Sequence, residues 1–253
     1  MPLITTEAIV LHAFDYRETS RIVRLITREM GIVSAIARGA RRPRSKFGAA
    51  LDLFAGGEAQ VTTTMGRDLH TLTAFDATHA RPALAAALDR FAAASAIAEL
   101  LLRFAPEQED APLLAAATDA LDALADAPAG GAAAVALAGA WCLVAELGFA
   151  PSLDECVACH RAIEADAMVG FHHRAGGALC SACAGEAPLA RKVPPDARAM
   201  IRAWLGRLPT SPLDEPSVRA HQRLLREFLE EHLTDGGRPL RALAAWERHE
   251  VDA

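Results

Sequence analysis

Two Cys-x2-Cys pairs, Cys156/Cys159 and Cys180/Cys183, stand twenty residues apart and constrain this chain more than any other feature. Within each pair a tight turn can aim both thiolates at one point, and two such turns make the tetrahedral four-sulfur shell that Zn²⁺ accepts. Four thiolates close the coordination sphere and leave no position for a catalytic water. The expected role is therefore structural: one zinc ion stabilising a segment of ~35 residues that is too short to build its own core. An iron–sulfur cluster also takes four cysteines and stays open as the alternative, although nothing else in the sequence has redox character. A deaminase-type catalytic zinc needs His-x-Glu upstream and Pro-Cys-x2-Cys; here Leu179 and Ser181 flank Cys180, and no His-x-Glu precedes it. His160, His172 and His173 lie close enough in sequence to replace a ligand, but they read as loop histidines. Cys142, alone in an Ala/Leu/Val stretch, reads as a small buried hydrophobe.

Upstream of the cysteines the chain changes texture once. Segments 7–14, 21–27, 32–37, 59–64 and 69–74 are rich in Val, Ile, Leu and Thr and are separated by turn signals such as Met30-Gly31, Arg38-Gly39 and Gly56-Gly57. Five short strands in this space suit a small barrel of the OB type or an SH3-like one, and spacing alone does not separate the two. After Arg81-Pro82 the apolar residues fall into helical spacing over 83–104, 113–124 and 132–147, and again over 196–208 and 215–233. Ala197, Ile201, Trp204, Leu205 and Leu208 are expected on one face of the fourth helix. The resulting expectation is a multi-domain α+β chain: an N-terminal β-barrel over 1–80, a helical domain over 81–150 and 187–253, and a four-cysteine module inserted at 151–186. No basic-then-apolar leader opens the chain, and its longest weakly polar run is mostly alanine. A soluble cytoplasmic protein is expected.

The net charge of −6 speaks against nucleic acid, but its distribution does not. Residues 1–80 carry ten basic and eight acidic side chains, against three and nine in 81–149. Arg38, Arg41, Arg42, Arg44 and Lys46 put five cations in nine residues, with Gly39 and Pro43 disfavouring a helix. A polyanion would relieve the repulsion within such a loop, and phosphate contacts there would be salt-sensitive and largely indifferent to sequence. A merely solvated charge run would look the same in isolation; on a small barrel, single-strand binding along a basic groove is the sharper reading. Arg24, Arg28 and Arg67 join the candidate surface, with Arg17 and Arg21 nearby. Phe14, Tyr16, Phe47, Phe54 and Phe75 are the aromatics of this region. Phe47, beside the cations, is the expected stacking residue, and Phe54 is expected in the barrel core. No Gly-x4-Gly-Lys-Ser/Thr loop for ATP occurs. Asp15, Glu18 and Glu29 are the carboxylates a nuclease could use, but no nucleophile–base pattern accompanies them and no catalytic residue is assigned.

In their order and spacing these motifs resemble the RecO family of bacterial recombination-repair proteins along essentially the whole chain. The resemblance is carried by Ala8-Ile-Val-Leu-His-Ala-Phe-Asp-Tyr16-Arg-Glu18, Ile22-Val-Arg-Leu-Ile-Thr27 and Ala37-Arg-Gly-Ala-Arg-Arg-Pro43. In the second half it rests on Gly148-Phe-Ala-Pro-Ser-Leu-Asp-Glu-Cys156-Val-Ala-Cys159, Gly176-Gly-Ala-Leu-Cys180-Ser-Ala-Cys183 and Arg238-Pro-Leu-Arg-Ala-Leu243. It implies an N-terminal OB fold, a helical domain and a zinc module held by the four cysteines. It further implies a non-enzymatic, nucleoid-associated mediator that binds single- and double-stranded DNA and anneals complementary strands. With RecR, such proteins help load RecA onto DNA coated by single-stranded DNA-binding protein, whose acidic tail they bind. No short motif marks a place for that tail. A zinc-ribbon transcription or translation factor with a small barrel shares the charge logic and is the competing class.

Overall fold

The computed structural model describes residues 2–63, 66–209, 211–232 and 239–249. It divides into two compact units, Met1–Asp126 and Ala127–Ala253.

The first unit opens with strands β1 (Leu3–Tyr16), β2 (Ser20–Thr27), β3 (Gly31–Ala37), β4 (Gly56–Thr62) and β5 (Leu69–His79). They close into a barrel in the order β1-β2-β3-β5-β4, with β4 returning to β1. Every pairing is antiparallel except β3 with β5. That connectivity is the OB-type answer to the choice that spacing left open. Strand alternation sends Ala8, Val10, Val23, Leu25, Val33, Ala35, Val61 and Leu72 into the barrel. A 3₁₀ turn at Gly48–Leu51 folds Phe47 and Leu51 in as well.

The opposite faces of the same strands are also apolar at one end. Ile9, Leu11, Ile26 and Ile32 point out of the barrel, yet each is at most 7% exposed. Helices α1 (Pro82–Ala86), α2 (Leu88–Phe104) and α3 (Ala111–Ala125) complete the unit, and α2 and α3 lie against β1 and β2. The continuous runs Ile9-Val10-Leu11 and Leu25-Ile26 are thus buried on both sides, the pattern of a strand covered by helices. The fit is close at Gly31 (φ +59°), where a Cβ would lie 2.0 Å from the Pro106 carbonyl oxygen. The Arg81 side chain is 1% exposed. It donates to Asp122 on α3 (2.5 Å) and to the Phe54 carbonyl of the barrel (2.6 Å), so a charged group clamps helix to barrel. Arg90 donates to the carbonyls of Leu124 and Ala125, capping α3.

The second unit contains α4 (Ala132–Glu146), β6 (Val169–His172), β7 (Gly177–Leu179), α5 (Ser181–Glu186), β8 (Arg191–Val193), α6 (Pro195–Leu205), α7 (Glu215–His232) and α8 (Arg241–His249). Its core is aromatic: Trp141, Phe171, Trp204, Phe228 and Trp246 are all within 1% of full burial. Alanines of α4 let α6 approach closely. Of the face expected on the fourth helix, Ile201 and Trp204 are buried, but α6 stops at Leu205 and Leu208 is 59% exposed. The single helix expected over 83–104 is broken at Ala87, whose backbone is extended. Thr64, Leu233 and Arg238, the ends of two expected elements and the start of the last family-like motif, lie outside the described residues. No helix among the described residues is long and apolar enough to cross a membrane.

Candidate metal centre and nucleic-acid interface

The four sulfurs of Cys156, Cys159, Cys180 and Cys183 lie within 4.8 Å of one another. A tetrahedral shell with metal–sulfur bonds of about 2.3 Å has edges of about 3.8 Å, and Cys159 Sγ stands 3.8 Å from Cys180 Sγ. Each pair is set by its backbone. The first turn is closed by the His160 amide donating to the Cys156 carbonyl (2.8 Å) and the Cys156 amide donating to the Arg161 carbonyl (2.9 Å), and His160 takes the left-handed φ of 57°. Cys180 is the N-cap of α5, which puts Cys183 in that helix's first turn. The turns meet because β7 runs beside Ser152, so closely that a Cβ on Gly177 would lie 2.3 Å from the Ser152 carbonyl oxygen.

The electrostatics fit a cation. Burial pushes the Cys156 thiol up, but amide groups of Cys180, Cys159 and Ala158 aimed at its sulfur outweigh that and bring it down to about 6. Hydrogen bonding from Cys183 likewise lowers Cys180. Cys183 is pushed up to about 12, chiefly through its hydrogen bonds to Cys180, Cys159 and Cys156. Four thiolates this close together repel one another. A divalent ion removes that conflict, and the set can hold a metal such as zinc.

None of the three neighbouring histidines joins the sulfur cluster. His173 Nε2 lies 3.2 Å from Glu227 on α7, and His172 Nδ1 accepts from the Ala175 amide (3.1 Å). His160 is exposed. Around the cluster, β6, β7 and β8 form a sheet in the order β7-β6-β8. Phe171 sets that sheet against Phe228 of α7 (5.8 Å between centroids). Arg191 grips Glu227 with two donors. The guanidinium of Arg198, itself 1% exposed, donates to the carbonyls of Glu164 and Ala165. Module and helices share one core.

The basic residues of the first unit separate into distinct groups. Arg38 and Arg42, from the loop after β3, and Arg67, from the turn before β5, line one groove of about 940 Å³ together with Tyr16, Arg17 and His70. Arg41 does not face it. Its amide donates to the Thr19 carbonyl (3.0 Å). Its guanidinium donates to the carbonyls of Arg17 and Glu18 and pairs with Asp15 (3.2 Å). Arg41 therefore ties the basic loop to the β1–β2 hairpin. Asp15 is held by Arg41 and Arg21 together. Arg44 is exposed on the same loop, whereas Lys46 donates to the Thr73 carbonyl.

Arg24 donates to the Leu102 carbonyl of α2 (3.4 Å). Arg28 pairs with Glu7 (3.1 Å) beside a second, acidic cavity of about 500 Å³ that Glu58, Asp119 and Asp122 also line. The expected stacking residue has to be corrected. Phe47 is 2% exposed, turned into the barrel by the 3₁₀ turn that follows it, and Lys46 covers its ring from outside. Phe54 is buried as expected. Sequence reasoning passed over Tyr16 and His70 as groove residues. The available signal was the alternation His12, Phe14, Tyr16 along β1, which puts all three on the face opposite the barrel core.

Both halves match known family models: residues 1–81 that of the N-terminal domain of recombination protein O, and residues 85–242 that of its C-terminal domain. The chain is 37% identical to the DNA repair protein RecO of Anaeromyxobacter sp. (strain K), over 92% of each chain. It is 35% identical to RecO of Symbiobacterium thermophilum over 87% of this chain and 84% of that one. With RecO of Rubrobacter xylanophilus the identity is 33% over 92% of each. With both domain models matched in order on an OB-type barrel and a helical unit holding four clustered cysteines, the chain belongs to the RecO family of DNA repair and recombination proteins.

Proposed function

We propose that this protein is a non-enzymatic, cytoplasmic and nucleoid-associated recombination mediator whose DNA site is the groove of Arg17, Arg38, Arg42 and Arg67. In this reading it binds single- and double-stranded DNA and anneals complementary strands. With RecR, and through the tail of single-stranded DNA-binding protein, it helps load RecA. The groove carries the proposal: four cations from three separate stretches of sequence converge on one concave surface of an OB-type barrel, in a chain whose net charge is −6. Arg41 acts by placing the loop, and Arg44 extends the positive rim. Arg24 and Arg28, expected on the same surface, lie outside the groove lining and would meet DNA only as additional phosphate contacts. The RecR, RecA and tail contacts rest on family membership. Cys156, Cys159, Cys180 and Cys183 hold one structural Zn²⁺.

The test is the salt dependence of single-strand binding by the full chain with Arg38, Arg42 and Arg67 all replaced by alanine. Three lost phosphate contacts should flatten the slope of log affinity against log salt by about two for a single strand. An unchanged slope would remove the groove from the interface.

A further inference from the structure

We infer that the outer face of β1 leading into this groove is a base-stacking platform, with Phe14 and Tyr16 taking the unpaired bases of a single strand. The inference rests on the reading of the arginine groove as a DNA site and goes beyond it, because phosphate contacts alone do not distinguish a single strand from a duplex. Phe14 and Tyr16 alternate with Ala13, which packs toward the core, so both rings stand on the outside of the barrel. Phe14 is 43% exposed, one of few large apolar side chains so placed. Its cross-strand neighbour is Ile22, and next to that stands Ile36. Tyr16 and Ile36 both line the groove, so the apolar row runs directly into it. The Arg17 guanidinium lies 5.3 Å from the Tyr16 ring centroid and braces it from one side.

Helices α2 and α3 cover the other end of this same outer face, where Ile9, Leu11, Ile26 and Ile32 are buried. Among the described residues of this unit, no helix buries the Phe14 end, where Phe14 stays exposed. What distinguishes it from an ordinary apolar patch is the groove that it joins at Tyr16 and Ile36, which Arg17, Arg38, Arg42 and Arg67 also line. Flat rings beside a cationic rim complement a ligand that carries stacking faces and regularly spaced anions at once, as an unpaired polynucleotide does. A duplex hides its base faces and could use only the rim.

The experiment compares full-length wild type, the Phe14→Ala/Tyr16→Ala double variant and Tyr16→Phe. Each is titrated with an oligothymidylate, with an abasic strand of equal length and with a duplex. Wild type should prefer the thymidylate to the abasic strand. The double variant should lose roughly 30-fold or more in thymidylate affinity, a loss well beyond any change in its abasic-strand and duplex affinity. Tyr16→Phe should bind as wild type. An equal loss on thymidylate and abasic strands would show a structural effect and overturn the proposal. So would an unchanged thymidylate affinity, which would leave this face to a protein partner. The Arg38/Arg42/Arg67 variant separates the two readings: if it binds normally, the groove itself is wrong, whereas if it is impaired and the double variant is not, only the platform is.

Discussion

Residues that look alike in the sequence do different work here. Of the cations in the run Arg38–Lys46, Arg38 and Arg42 face a groove, while Arg41 bonds carbonyls of the β1–β2 hairpin and Lys46 bonds the backbone of β5. The composition of that run was legible in the sequence. Its division of labour was not, because it depends on where the loop lands. Phe47 shows the same limit: proximity to cations suggested a surface role, yet burying an aromatic ring inside a small barrel gains more than leaving it in water. Burial also governs His221. It is 4% exposed against Trp204 (4.9 Å between ring centroids), and burial outweighs the pull of Asp196 to bring it down to about 4. The folded state therefore refuses a proton that the unfolded chain accepts below about 6.5. The stability contribution present above that value is lost as pH falls toward 4. Urea unfolding at pH 7 and pH 5 should show His221→Phe losing about 2 kcal/mol less than wild type on acidification. Equal losses in the two proteins would show that this histidine does not set the acid response.

At the scale of elements, the strands were readable because β-branched residues and turn glycines mark them, and every expected strand segment has its counterpart among β1–β5. Their pairing order was not, because the parallel β3–β5 contact leaves no mark in local spacing. The cysteine spacing foretold the four-sulfur cluster, but not that the intervening residues form a sheet. β6, β7 and β8 are only three or four residues each, too short to show alternation, and they are fixed by the cysteine turns and by Phe171 against α7. α8 escaped notice because it is short, although Leu240, Leu243 and Trp246 were visible as apolar residues and are buried. If a metal ties these turns together, Cys180→Ser should lower the zinc content of the purified protein and its Tm, while single-strand affinity measured below that Tm stays near wild type. Full zinc occupancy with an unchanged Tm would mean that the sulfurs are not its ligands. A large loss of DNA affinity in the folded variant would bring the module into the interface.

At the scale of the whole molecule, the change of texture at Arg81-Pro82 is real, and the matched family domains meet there. The compact unit nevertheless runs on to Asp126. The reason is physical: the barrel is apolar outside as well as inside at Ile9, Leu11, Ile26 and Ile32, and α2 and α3 supply the cover. A fragment of residues 1–80 would expose that surface and lose the Arg81–Asp122 clamp, so it is a poor vehicle for testing the barrel. Residues 1–126 keep both. If this unit carries the DNA site in its groove, residues 1–126 alone should bind a single strand, and their binding is to be titrated against salt beside the full chain. The expected result is a folded fragment whose slope of log affinity against log salt lies within about one unit of the full chain's, since the same phosphates would be met. A fragment that folds cooperatively but has lost most of that slope would contradict it.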